Sequence, residues 1–275
     1  MLLSGERDLL ADLYQLGQRA TTVGGRRHVA AGLSRRHLLL QRCRLWLRKE
    51  CSKHKKTVTA YVATDLAVYV NAYYLSLAGA LDNLAWLLLY ELKLLTPVDE
   101  DDIKTRRLAT LTSKKLRGLL AESHPEIGQR VEQSVDWYWD IRDLRDPAAH
   151  RLPLTVVAGV LDADDHREAI RLKERASEAM NAGDIHEGMD LLFQASSLGT
   201  FRPWLENPEG YQKGFYYLPN LLMRDQAFYV DLAGAVVASL LLDLGLQPRV
   251  PVKKEQVWMT GDYLAHHRPY RFGQL

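Results

Sequence analysis

Apolar positions recur every three or four residues along most of this chain, the spacing that lines one buried face of a helix. Residues 4–18 show it first, with Ser4 placed to cap the helix start, and Gly24-Gly25 reads as a break. A basic amphipathic helix follows over residues 28–49, setting Leu38, Leu39, Leu45 and Trp46 toward a partner, and the CSKHKK stretch reads as a connector. The longest element spans residues 59–95 and ends before Pro97. It is apolar almost all the way round, which predicts a central helix covered on several sides. Gly79, between Ala78 and Ala80, suits a close helix crossing. Asp82 and Asn83 fall where water is scarce, so both need hydrogen-bond partners.

Shorter helical segments follow over residues 113–122 and from Pro125 onward, the latter carrying Ile127, Val131, Val135, Trp137, Tyr138, Ile141 and Leu144. Residues 164–181 and 184–197 form a charged helical hairpin hinged at Asn181-Ala182-Gly183. An aromatic loop occupies 199–219, and a last long helix covers 220–244. Alternation is scarce, and residues 154–161 are the one strand candidate. The expected class is all-α: an antiparallel helical bundle with a helical-hairpin insertion. Residues 1–56 are basic helices packed on a bundle at 57–244, which contains the 162–218 insertion, and 245–275 form a tail.

Composition agrees with a packed core, 47% of residues being apolar. The uncharged stretches 66–81 and 232–242 fall short of the roughly 20 residues of a spanning helix, so both read as core helices and no membrane is expected. Cys43 and Cys51 make neither a disulfide framework nor a zinc spacing. With no signal-peptide pattern in residues 1–19, a cytoplasmic setting follows. The net charge of +2 conceals an asymmetry. Residues 19–56 hold twelve Lys or Arg against Glu50 alone, a balance of +11, leaving 2 − 11 = −9 elsewhere. Arg35, Arg36, Arg42 and Arg44 are therefore candidate phosphate contacts, the alternative being a solvated helix face beside a linker.

The chemically richest stretch is Ile141-Arg142-Asp143-Leu144-Arg145-Asp146-Pro147-Ala148-Ala149-His150-Arg151. Arg-to-His spacing alone signifies nothing, since the chain contains three such pairs and chance accounts for them. Geometry singles out Arg145 and His150. On an unbroken helix five residues would leave them some 140° apart. Asp146-Pro147 supplies a break, with Asp as cap and Pro at the first helical position, so the two side chains would converge with Arg142 and Arg151 beside them.

A tryptophan-bearing amphipathic helix followed by Arg145-Asp146-Pro147-Ala148-Ala149-His150-Arg151 resembles the HEPN superfamily, whose signature is Arg, a polar residue, a few positions, then His. The segments LAGALDNLAW, HRLPL and SSLGTFRPW look similar to uncharacterised bacterial HEPN-like proteins, and the likeness spans residues 60–244. The resemblance implies a HEPN-like bundle that pairs as a homodimer and juxtaposes two copies of the motif. It further implies a metal-independent endoribonuclease or an RNA-binding protein in a defence or toxin–antitoxin setting, with an antitoxin or other protein as partner. It places Arg145, Asp146 and His150 as the catalytic set. His150 would take the 2′-hydroxyl proton, Arg145 would hold the phosphate and Asp146 would orient the imidazole. No metal or other cofactor is needed by that scheme, and the histidines show no paired ligand spacing. A second class of function stays open: a non-catalytic interaction or scaffold module that docks a protein through a bundle face or the aromatic loop.

Overall fold

The computed structural model describes residues 5–150, 152–208 and 214–250, with only the backbone of His150 included. The fold is all-α, a helical bundle carrying a small sheet. Helix α1 (Glu6–Arg19) starts at Gly5, which takes a left-handed φ of 90°; Ser4, the expected cap, lies outside the described residues. α2 (Val23–Arg27), a π-helical stretch (His28–Leu33) and α3 (Ser34–Cys51) follow without interruption. The break expected at Gly24-Gly25 therefore falls earlier, at Ala20–Thr22. There Thr22 Oγ1 caps α2 by accepting from Gly25 N at 2.9 Å. The glycines are helical for a steric reason: the Tyr90 ring lies against one and the Glu91 carboxylate against the other, where a methyl group would overlap them.

α4 (Ala60–Glu91) is the central helix that its all-round apolar pattern predicts, capped by Thr59 and buried through Leu66, Val70, Tyr73, Leu77, Leu81, Leu84 and Leu88. α3 and α8 (Val135–His150) pack along it, and α1 packs on α11 (Leu218–Asp243). Leu9, Leu13, Leu33, Leu40 and Leu47 join the same core as α4 and α11, so the basic N-terminal helices are part of the bundle. α4 and α11 are longer than their uncharged stretches, and each is long and apolar enough to cross a bilayer. Two thirds of each apolar window is nevertheless buried within the bundle. The short helices α5 (Ile103–Leu108), α6 (Lys114–Ser123) and α7 (Pro125–Gln133) follow, α6 packing on α7 and α7 on α11 and α8.

The break expected at Asp146-Pro147 is absent. The interruption comes at Ser134, between α7 and α8, and α8 continues through Pro147 to His150. A proline inside a helix removes the N–H that would reach the carbonyl four residues back, here that of Asp143. Asn207, buried on the sheet, donates its Nδ2 to the Asp143 carbonyl at 3.3 Å and so takes up that bond. A residue distant in sequence makes the proline tolerable.

The aromatic loop also differs from expectation. It folds as β2 (Trp204–Asn207) and β3 (Gly214–Tyr217), antiparallel, with Leu205 opposite Tyr216. β1 (Thr155–Val156), inside the predicted strand, pairs with β2 to give the order β1-β2-β3. Phe201 is buried and Leu205 fully so, while Tyr217 is 40% exposed and Tyr211 lies outside the described residues. The predicted hairpin is present as α9 (Ala163–Asn181) and α10 (Ile185–Ser196), held by its own small core of Leu172, Ala176, Leu191 and Ala195. After α11 the chain turns back, and buried Asp12 accepts from the Arg249 and Val250 amides at 2.9 Å each. Residues 251–275 lie outside the described residues.

Candidate functional site

α8 buries Trp137, Tyr138, Ile141 and Leu144, so its neighbouring positions reach the surface. Trp139 is 51% exposed, and the Arg142 guanidinium lies 5.0 Å from its ring centroid, within cation–π range. Arg145 Nη1 is 3.1 Å from Asp146 Oδ1, and Arg142 Nη2 is 3.8 Å from Asp146 Oδ2. Tyr138 donates its hydroxyl to Asp82 Oδ1 on α4 at 2.6 Å. From the other flank, Arg36 of α3 lies across Gly79 with Nη1 3.5 Å from the Leu75 carbonyl oxygen. The close approach at Gly79 thus admits a guanidinium.

Asp82 is the centre of this arrangement. Burial raises its pKa, while the Tyr138 hydrogen bond and the charges of Arg145, Arg142 and Arg36 oppose the rise without cancelling it. Three guanidiniums from two helices therefore gather about one shielded carboxyl. With Asp146 counted, three cations face two acids, a local excess of +1. Asn83, one residue on, donates to the Gly79 carbonyl and presents Oδ1 to His28 Nδ1 at 2.9 Å, so both polar residues of the α4 interior are hydrogen-bonded as expected.

The predicted site residues separate into groups. Arg36, Arg142, Arg145 and Asp146 share the surface around Asp82. Arg35 and Arg42 are exposed on the outward side of α3. Arg44 corrects its expectation: it is 4% exposed and its Nη2 lies 2.8 and 2.7 Å from the two oxygens of fully buried Glu6, so it is a core ion pair and not a phosphate contact. His150 occupies the last position of α8, but its side chain and the whole of Arg151 lie outside the described residues. The continuous helix removes the chain reversal that was to turn Arg145 and His150 toward each other.

Comparison with protein-family models, with curated proteins and with solved structures finds no match to this chain.

The opposite side of α8 carries a second polar cluster that sequence reasoning missed. Asp225 of α11 accepts from Tyr74 Oη at 2.9 Å, Trp137 Nε1 at 3.0 Å and Arg224 Nε at 2.8 Å. Arg224 Nη1 also lies 3.6 Å from Asp140 Oδ2. The sequence held one signal, the helical spacing of Asp136, Asp140 and Asp143, but nothing named their partner. Burial is the main reason the Asp140 pKa rises to about 6, against the pull of Arg224. Folded Asp140 holds its proton more tightly than the unfolded chain does. Its contribution to stability is therefore fullest below the unfolded value of about 3.9 and is lost as pH climbs through about 6. Asp140→Asn should accordingly gain on the wild type between pH 4 and pH 7 in melting temperature. A constant difference across that range would contradict the assignment.

A cleft of ≈ 550 Å³ lies two turns farther along α4, between Val23, Arg27, Tyr90, Lys93, Leu95 and Glu100. It contains none of the arginines about Asp82.

Proposed function

We propose that this chain is an RNA-binding protein of HEPN-like type that grips single-stranded RNA on the α8–α4–α3 surface. The observation that carries the reading is that Arg142 and Arg145 flank Asp146 on α8 while Arg36 lies across Gly79 of α4, the charges of all three acting on Asp82. Guanidinium forks match phosphate oxygens, and fixing three of them on packed helices lowers the entropy lost on binding. Exposed Trp139, with Arg142 over its ring, adds an aromatic face for a base.

Binding without cleavage is favoured because α8 runs unbroken through Pro147. Arg145 and His150 then lie five positions apart on one continuous helix, without the chain reversal between them that the motif reading required.

Fluorescence anisotropy with a labelled single-stranded RNA, in EDTA and over a salt series, tests both points. Each phosphate contact on a single strand contributes about 0.7 to the slope of log K against log salt, so Arg142→Ala/Arg145→Ala should flatten it by about 1.4. No salt-dependent binding by wild type would end the RNA reading. RNA cut in EDTA by wild type but left whole by His150→Ala would replace binding with catalysis.

A further inference from the structure

The cleft at the end of α4 has walls that hydrogen bonds fix in place. Glu91 accepts from the Thr21 and Thr22 amides at 2.7 and 3.1 Å and from the Thr21 hydroxyl at 3.0 Å, which ties the turn before α2 to the last turn of α4. Gly24 lets the Tyr90 ring lie directly against the α2 backbone. The enclosed ≈ 550 Å³ falls within the roughly 300–1,000 Å³ of small-molecule sites. Val23, Tyr90, Leu95 and Val98 give it an apolar lining, and Val23 is 76% exposed there.

Three charged groups join that lining: Arg27, Lys93 and Glu100. Glu100 is already engaged. Its Oε1 accepts from Tyr90 Oη at 2.7 Å and lies 3.2 Å from His28 Nε2, while Oε2 meets Arg27. Lys93 is exposed and has no ion-pair partner among the described residues. Its backbone is the second observation. Lys93 takes a φ of 50°, the left-handed region in which a Cβ crowds the chain. The other described residues with positive φ are Gly5, Gly183, Gly199 and Gly245. A helix that ends in this conformation ordinarily uses glycine or asparagine, yet α4 is followed by lysine. Strain of that sort is kept where the side chain serves a site.

We infer that this cleft binds a small carboxylate with an apolar body, the body against Val23, Leu95 and Val98 and the carboxylate held by Lys93 and Arg27. Arg27 is free to share in this, because a guanidinium keeps donors beyond the one that meets Glu100. Two cations against one acid leave the lining at +1, a charge that a monoanion balances. A phosphate dianion would leave surplus negative charge beside Glu100. The site is separate from the RNA surface, since Arg36, Arg142 and Arg145 take no part in it.

Isothermal titration calorimetry of the full chain with cinnamate tests the site, beside cinnamamide (the same body without the charge) and cinnamyl phosphate. Cinnamate should bind, and cinnamamide about tenfold more weakly, the worth of one charge-assisted contact. Lys93→Gly should weaken cinnamate about tenfold, leave cinnamamide unchanged and hold or raise the melting temperature, since glycine relieves the backbone. A lysine that served only the fold would instead lose stability on that change. Val23→Glu, which adds an acid to the lining at an exposed position, should also weaken cinnamate, and Arg142→Ala/Arg145→Ala should leave its titration as in wild type. Absence of cinnamate binding, equal binding of acid and amide, or tighter binding of the phosphate overturns the proposal. So does a cinnamate affinity that ignores Lys93→Gly or falls with the Arg142 and Arg145 substitutions.

Discussion

Asp225→Ala should destabilise the protein by about 3–5 kcal/mol, the range expected when one partner of a buried ion pair is removed. Asp225 is 0% exposed, and its carboxylate answers three donors from three helices: Tyr74 on α4, Trp137 on α8 and Arg224 on α11 itself. Alanine leaves Arg224, only 4% exposed, with Asp140 at 3.6 Å, and strands the Trp137 N–H and the Tyr74 hydroxyl away from water. Burial works against the Arg224 charge, but a guanidinium is too basic to give up its proton inside a protein, so it stays charged when Asp225 is lost. Asp225→Asn, which keeps an acceptor and the volume, should lose less. Arg224→Leu/Asp225→Leu should recover much of the difference, since it buries no charge at all. Urea unfolding followed by circular dichroism measures all three. A loss under about 1 kcal/mol for Asp225→Ala would mean that water reaches Arg224 after the substitution. The consequence extends to the surface opposite: the Trp137 bond sets the rotation of α8, and that rotation turns Trp139, Arg142 and Arg145 outward.

How far the fold was legible depended on whether its cause was local. Periodicity predicted α4, α9, α10 and α11, because each has an apolar pattern that only a helix can bury. Pro147 misled because proline preference is local while its remedy is not: Asn207 is sixty residues away and no spacing rule connects it to Asp143. Gly24-Gly25 misled for a similar reason, since Tyr90 and Glu91 need bare backbone there and the glycines meet that need inside a helix. The aromatic loop read as irregular because a four-residue strand shows too few alternations to register. At the site, Arg142 and Arg145 were legible as charge beside a motif. Arg36 could be singled out only as one of a basic series, and its proximity to Asp82 depends on how α3 crosses α4. Trp139 was hidden by its neighbours, for three aromatics in succession do not reveal which one faces water.

Arg44→Ala should cost about 3–5 kcal/mol of folding free energy, and Arg42→Ala, two residues away, almost none. The charge run around them treats the two as equivalent, and burial separates them. Arg44 is 4% exposed with Nη2 bridging both oxygens of Glu6, a residue with no solvent exposure, while Arg42 is exposed. Alanine at 44 takes the guanidinium away from that carboxylate inside the core, beside His37, whose own Nε2 lies 2.9 Å from the Glu6 carbonyl oxygen. Burial lowers the His37 pKa, so that ring supplies little positive charge to replace the guanidinium at neutral pH. A buried carboxylate that loses its guanidinium costs energy the intact pair does not. Glu6→Gln/Arg44→Met should regain most of the loss, because a neutral pair of similar volume needs no counter-charge. Chemical denaturation of Arg44→Ala, Arg42→Ala and the double variant decides the matter. Equal, small losses for Arg44→Ala and Arg42→Ala would show that the ion pair adds little to the attachment that Leu9, Leu13, Leu40 and Leu47 give the N-terminal helices.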